Sequence, residues 1–174
     1  MGLLSSAPSA GTAFGRDILI ALGYAAFGGF ALVLARIDLR CHTLPNGLVA
    51  AAALCLCGPL TVVSMGRGDH WCALLPWAAS VAAALLAFIC WASGAGFIGG
   101  GDVKLTPVAV YAGVWPFGPD GWLDGALVFG LVLAGMLVLS GLSAILRGRR
   151  EFAAGPWLLA ASGIAALLGA LAER

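Results

Sequence analysis

Successive apolar runs separated by short polar breaks constrain this chain more than any other feature. A helix needs roughly 20 mostly apolar residues to cross about 30 Å of hydrocarbon, and 61% of the 174 residues are hydrophobic while only 10% are charged. The pattern predicts an all-α polytopic membrane protein of about six transmembrane helices. We expect residues 1–174 to form a single membrane-embedded domain with a short polar N-terminal tail at 1–17, and the runs are 18–37, 47–65, 72–93, 103–117, 123–146 and 157–172.

Charged residues lie almost entirely in the breaks between these runs, which leaves the hydrocarbon interior nearly free of charge. The formal net charge is +1, and the basic residues are scattered rather than gathered into an extended patch. Proteins that bind nucleic acid usually carry such a patch. The sequence therefore favours the lipid bilayer, and not a nucleic acid, as the surrounding partner.

The distribution of Lys and Arg predicts the orientation of the spans. Six spans divide the breaks into two sets, and one set holds six of these residues against three in the other. Because cytoplasmic loops carry an excess of Lys and Arg, the breaks at 38–46, 94–104 and 147–156 should face the cytoplasm, with both termini outside. The six residues are Arg36, Arg40, Lys104, Arg147, Arg149 and Arg150.

Two aspartates lie at span ends on the same predicted face. Asp38 follows the first span and Asp102 precedes the fourth, so two complete spans separate them. This parity holds whichever way the protein is inserted. Two carboxylates in a site of low dielectric cannot both ionise easily, so one keeps a proton while the other can activate water. Such a pair can hydrolyse a peptide bond by general acid and base catalysis.

Asp102 and Asp38 each allow a second, simpler interpretation. Five glycines precede Asp102 in residues 94–105, GAGFIGGGDVKL, and this backbone freedom could admit an extended peptide beside the carboxyl group. The segment could equally be a turn in which Lys104 neutralises an interfacial acid. Asp38 could likewise pair with Arg36 or Arg40.

Other catalytic chemistries have little support in the sequence. His42 and His70 are the only histidines, and no serine or cysteine lies in a recognisable nucleophile elbow. The five cysteines form no paired C-x-x-C units of the kind that bind structural zinc. We therefore expect neither a metal nor a cofactor, and His42 is more simply a solvated loop residue.

Two motifs carry a resemblance to a known family. Residues 99–105, GGGDVKL, resemble the G-x-G-D motif, extended by V-K-L, of type IV prepilin peptidases, which are membrane aspartyl peptidases. Asp38, followed after six residues by Pro45 and Asn46, resembles the family's other motif, in which an aspartate leads to I-P-N. Leu44 replaces the isoleucine here. Residues 152–157 also resemble a proline-containing segment before the family's last helix.

The resemblance implies an aspartic endopeptidase that removes the short basic leader from prepilins or pseudopilins, just before their hydrophobic helix. The reaction would take place at the cytoplasmic face of a bacterial or archaeal cytoplasmic membrane. Asp38 and Asp102 would be its catalytic acids, and the other motif residues would lie along the approach of the substrate: Gly99, Gly101, Lys104, Pro45 and Asn46.

Larger members of the family carry a cytoplasmic insertion with paired C-x-x-C motifs and also N-methylate the new terminus. This chain has neither the insertion nor those cysteines, so the resemblance is to the short, peptidase-only members associated with tight-adherence pili. It does not extend to methyltransferase activity.

The sequence also allows alternative functions. They are a preflagellin-type or presenilin-like intramembrane protease, a small transporter, and a non-catalytic pilus-assembly subunit. A presenilin-like protein would carry a Tyr-Asp motif, whereas Ile37 precedes Asp38 here. A transporter would be expected to bury its acids at mid-span, whereas both aspartates fall at span ends.

Overall fold

The computed structural model describes residues 10–41, 44–68, 70–93, 99–146 and 154–172. This part of the chain is helical throughout, apart from short turns. Its elements are α1 (Ala10–Cys41), α2 (Asn46–Gly66), α3 (Trp71–Ala92), α4 (Gly100–Val114), a 3-10 turn (Trp115–Phe117), α5 (Trp122–Leu146) and α6 (Gly155–Ala172).

The helices follow the six apolar runs of the sequence, with differences at their ends. Helix α1 begins at Ala10 and its apolar stretch at Phe14, so residues 10–17 of the predicted N-terminal tail are helical. The same helix continues to Cys41, so Asp38 lies near the end of a helix and not in the break after a span. Helix α4 ends at Val114 because the chain tightens into a 3-10 turn and then reaches Gly118, whose φ of 65° lies in the left-handed region.

Four helices contain an apolar stretch long enough to cross a membrane. These stretches are Phe14–Arg40, Asn46–Gly66, Trp71–Ala92 and Gly155–Ala172, and α5 contains a shorter one, Trp122–Val138. Helix α4 has only 15 residues, which at 1.5 Å per residue is about 22 Å. The described residues are therefore all-helical, and four of their helices are long and apolar enough to cross a membrane, as in an all-α membrane protein.

Helix α4 is the centre of the bundle. It packs against α2, α3, α5 and α6, while α1 packs against α2 and α6. Every side chain from Val108 to Val114 is buried. The C-terminal half of α4 is therefore shielded from lipid by its neighbours, and in its first turn Asp102 is buried while Gly100 is exposed.

The outer surface of the bundle is apolar. Leu54 is 74% exposed and Leu131 72% exposed, and many other large aliphatic side chains also point outward. Ser64, Ser80 and Ser162 are fully buried in the interior. An apolar exterior of this extent suits a hydrocarbon solvent and would be a liability in water.

Polar side chains attach α4 to its neighbours. The Tyr24 hydroxyl of α1 donates to the carbonyl oxygen of Ala112 at 2.8 Å. The hydroxyls of Thr61 and Tyr111 lie 3.0 Å apart, and the Trp77 indole N–H donates to Thr61 Oγ1 at 3.2 Å. Buried polar groups need such partners where water is absent. These bonds fix the position of α4 along the bundle axis relative to α1, α2 and α3.

Candidate active site

Asp38 and Asp102 come from opposite ends of different helices. Asp38 lies near the C-terminal end of α1 and is 6% exposed, whereas Asp102 lies in the first turn of α4 and is 8% exposed. Aspartate is seldom buried to this degree unless it has partners. Two buried acids at one end of an apolar bundle are the most polar feature of the described interior.

Gly155, the first residue of α6, lies against both carboxyl groups. A Cβ atom placed on Gly155 would lie 2.6 Å from Asp38 Oδ2 and 3.4 Å from Asp102 Oδ1. Because both oxygens are close to that one point, they lie within about 6 Å of each other. The structure thus brings together the two aspartates that the sequence places on one face, and it adds α6 as a third wall.

The backbone at the start of α4 holds one side of the Asp102 carboxyl group. Gly99 precedes the helix in an extended conformation, and its N–H donates to Asp102 Oδ2 at 3.2 Å. A carboxylate at this third helical position commonly reaches back in this way. The cap occupies Oδ2 and leaves Oδ1 turned towards Gly155 and Asp38. A side chain on Gly99 would crowd this bond, since its Cβ would lie 3.3 Å from Oδ2.

Burial changes the acidity of Asp102. Loss of hydration raises the pKa of this carboxyl from 3.8 to about 6, the Gly99 N–H opposes the rise, and the charge of nearby Asp38 adds to it. Desolvation disfavours the ionised form, and a neighbouring carboxylate does the same. Asp102 can therefore keep a proton at a pH at which an ordinary aspartate has lost it.

The two sequence motifs dock onto each other at two points. Lys104 Nζ donates to Asn46 Oδ1 at 2.8 Å across 58 residues of sequence. Gly101 packs against the buried side chain of Leu44, such that a Cβ atom on Gly101 would lie 3.1 Å from Leu44 Cδ1. The segment at the start of α2 thus fixes the start of α4, which carries Asp102.

Pro45 and Asn46 have different roles at the start of α2. Pro45 precedes the helix in an extended conformation, and its carbonyl oxygen accepts from the N–H groups of Leu48 and Val49 at 3.1 and 3.2 Å. Asn46 is the first helical residue, and its side chain turns to Lys104 instead of capping the helix. Both residues therefore have structural roles within about one helical turn of the candidate site.

Gly155 is the site residue that the sequence analysis did not single out. A glycine directly before Pro156, at the start of the last apolar run, was the available signal, because proline in a first helical turn marks where a helix begins. The resembling segment 152–157 is described only from Ala154 onward. His42 and the glycines at 94 and 96 also lie outside the described residues.

The described residues bring together no three His, Cys, Asp or Glu side chains that could hold a metal ion. What they do assemble is two buried carboxyl groups, one held by a backbone N–H and the other facing a glycine. Such an arrangement can share a proton and orient a water molecule. No family model, curated protein or solved structure matches this chain.

Proposed function

We propose that this chain is a membrane aspartyl endopeptidase that removes the leader peptide from prepilin-like or pseudopilin substrates. The observation that carries the proposal is the approach of Asp38 and Asp102 to within about 6 Å at Gly155. These two acids belong to the two motifs that resemble those of type IV prepilin peptidases, and they occur in the same order along the chain.

The spacing of the two carboxyl groups suits a bridging water. Hydrogen bonds between oxygens are about 2.7–2.8 Å long, so one water can contact two oxygens up to about 5.5 Å apart. The contacts at Gly155 limit the separation of Asp38 Oδ2 and Asp102 Oδ1 to about 6 Å. The ionised aspartate takes a proton from this water as the oxygen attacks the scissile carbonyl carbon. The protonated aspartate donates a hydrogen bond to the carbonyl oxygen.

Collapse of the resulting tetrahedral intermediate breaks the C–N bond, and a proton from the pair passes to the leaving amine. The raised pKa of Asp102, about 6, supports a pair that holds one proton up to about pH 6. The two acids titrate as a pair, and the proton belongs to both.

Six crossings, with the aspartates at the cytoplasmic end, form part of the proposal. The 15 residues of α4 and the three of the 3-10 turn together span about 28 Å, and the 25 residues of α5 about 37 Å. Both lengths are compatible with a crossing of about 30 Å. The excess of Lys and Arg at the Asp38 end supports a cytoplasmic location in a bacterial or archaeal inner membrane.

Co-expression with a candidate prepilin tests the function, with leader removal followed by gel shift. Wild type should cleave, and Asp38→Asn and Asp102→Asn should not. Asp124→Asn is the matched control, because it makes the same chemical change in an exposed residue in the first turn of α5. Cleavage by either dyad variant would refute the catalytic pair. Failure of the wild type across several prepilins would favour a transporter or an assembly subunit.

A further inference from the structure

An apolar cavity of about 240 Å³ opens beside Asp102. Helices α3, α4, α5 and α6 each contribute to its walls. Apart from Asp102 and Thr106, its lining is formed by apolar side chains and one cysteine: Leu86, Ala87, Cys90, Leu133, Leu137, Ala154 and Leu158. The volume is below the roughly 300–1,000 Å³ of sites for drug-sized ligands, so the cavity suits one or two side chains.

Two larger cavities lie away from Asp38 and Asp102. One of about 440 Å³ is lined by Asp17, Arg67 and Trp115, which lie at the opposite ends of their helices from the two catalytic candidates. Another, of about 360 Å³, lies between α2, α3 and α4 and includes Asn46 and Lys104 but neither Asp38 nor Asp102. Neither of these cavities is lined by Asp38 or Asp102.

The cavity beside Asp102 is open towards the outer surface of the bundle. Leu86 is 64% exposed, Cys90 is also exposed, and Leu133 and Leu137 are half-buried. These residues belong to α3 and α5, which form the margins of the opening. These apolar margins suit contact with hydrocarbon, so an apolar helix could reach the opening by lateral movement.

We propose that the apolar segment of the substrate approaches from the lipid between α3 and α5 and places an apolar side chain next to the scissile bond in this cavity. The inference rests on the proposed function and specifies the route to the same site. The proposal rests on the position of Asp102 in the cavity wall. A residue bound in the cavity lies next to the carboxyl group that would act on the adjacent peptide bond.

Cys90 provides a reporter on the cavity wall. In a background with Cys41, Cys55, Cys57 and Cys72 replaced by alanine, Asp38→Asn arrests cleavage and leaves Cys90 as the single thiol. The probe is a prepilin that the wild type cleaves, carrying one cysteine at the first residue after the cut. The control replaces Cys90 as well and introduces Leu54→Cys, on the exposed face of α2 and outside the three cavities.

Under mild oxidation we expect a disulfide adduct with Cys90 at least tenfold more abundant than with Leu54→Cys. Equal adducts, or an adduct with Leu54→Cys alone, would overturn the route while leaving the peptidase assignment intact, because cleavage by the wild type is measured separately. If the wild type cleaves no prepilin, the proposed function fails and the route fails with it. Activity of the cysteine-replaced parent with Asp38 intact verifies its fold.

Filling the cavity gives a second readout. Ala87 is buried in the wall, and Ala87→Leu should lower kcat/KM at least tenfold for a substrate with phenylalanine after the cut and by less than threefold for one with alanine. Equal losses for both substrates would contradict a side-chain site. Cleavage of the alanine substrate shows that the variant is folded.

Discussion

Gly155 lies so close to Asp38 that a Cβ atom on the glycine would be 2.6 Å from Asp38 Oδ2. Non-bonded carbon and oxygen atoms do not approach this closely without a shift in one of them. The first turn of α6 thus limits how the Asp38 carboxyl group can be placed relative to Asp102.

Gly155→Ala should therefore disturb the pair without removing either acid. The added methyl group pushes Asp38 away, and a displacement of about 1 Å at a catalytic group can cost about 10²-fold in rate. We expect kcat/KM for leader cleavage to fall by about that factor. Gly163→Ala is the control, because it lies on the same helix with open space around its Cβ position. Equal activity of the two variants would contradict the positioning role of Gly155.

Activity should fall as the pH rises through the upper apparent pKa of the pair. Asp102 keeps its proton until about pH 6, and hydrolysis requires one shared proton, so loss of that proton removes the acid. A plot of log kcat/KM against pH should decline by about one unit per pH unit above an apparent pKa of about 6 or higher. Asp124→Asn should leave the profile unchanged. A rate that continues to rise up to pH 9 would contradict the shared proton.

The stability of the folded protein should also fall as the pH rises. The unfolded carboxyl ionises near 3.8 and the folded one near 6, so the folded state binds more protons in this interval. The contribution of Asp102 to stability is therefore lost as the pH rises from about 4 to 6. Asp102→Asn in detergent should flatten the dependence of Tm on pH over this window.

The hydrogen bond between Lys104 and Asn46 should make the effects of substituting the two residues on kcat/KM non-additive. Lys104→Met and Asn46→Ala each remove the 2.8 Å bond that docks the first motif on the second. An exposed, charge-assisted bond contributes at most about 1 kcal/mol, which predicts a loss of at most about fivefold in kcat/KM for each variant. The double variant should lose no more than the worse single variant. Multiplicative losses would show that the two residues act independently.

The sequence predicts the helical fold and the two aspartates better than it predicts the contacts that position them. Parity places Asp38 and Asp102 on one face, since two intervening spans return the chain to the same side, and the expectation that the two acids meet came from the family resemblance. The Lys104–Asn46 and Gly101–Leu44 contacts do not follow, because span counting gives no rotation of one helix against another. Gly155 was missed for the same reason.

The length of the fourth helix was predicted less well from the sequence. An apolar run at 103–117 resembles a span, but α4 alone is too short for a full crossing and is surrounded by other helices. Apolar composition cannot distinguish a helix that faces lipid from one that faces protein. The catalytic roles, the substrate and the orientation stay predictions.

Orientation can be tested at the two ends of α2. Its 21 residues span about 31 Å, so Gly47→Cys and Arg67→Cys, in a background without other cysteines, should lie on opposite sides of the membrane. A membrane-impermeant maleimide should label position 67 in intact cells and position 47 only after permeabilisation. Position 47 has open space around its Cβ. The reverse pattern would place the two aspartates outside the cytoplasm.

The most direct test is a double-mutant cycle on the two acids with purified protein in liposomes and a synthetic prepilin. If Asp38 and Asp102 share one proton and one water, Asp38→Asn and Asp102→Asn should each lower kcat/KM by at least about 10³-fold. The double variant should then be no worse than either single one, since residues that act as a unit are not additive. Losses that multiply, or more than a tenth of wild-type activity in either single variant, would contradict the pair.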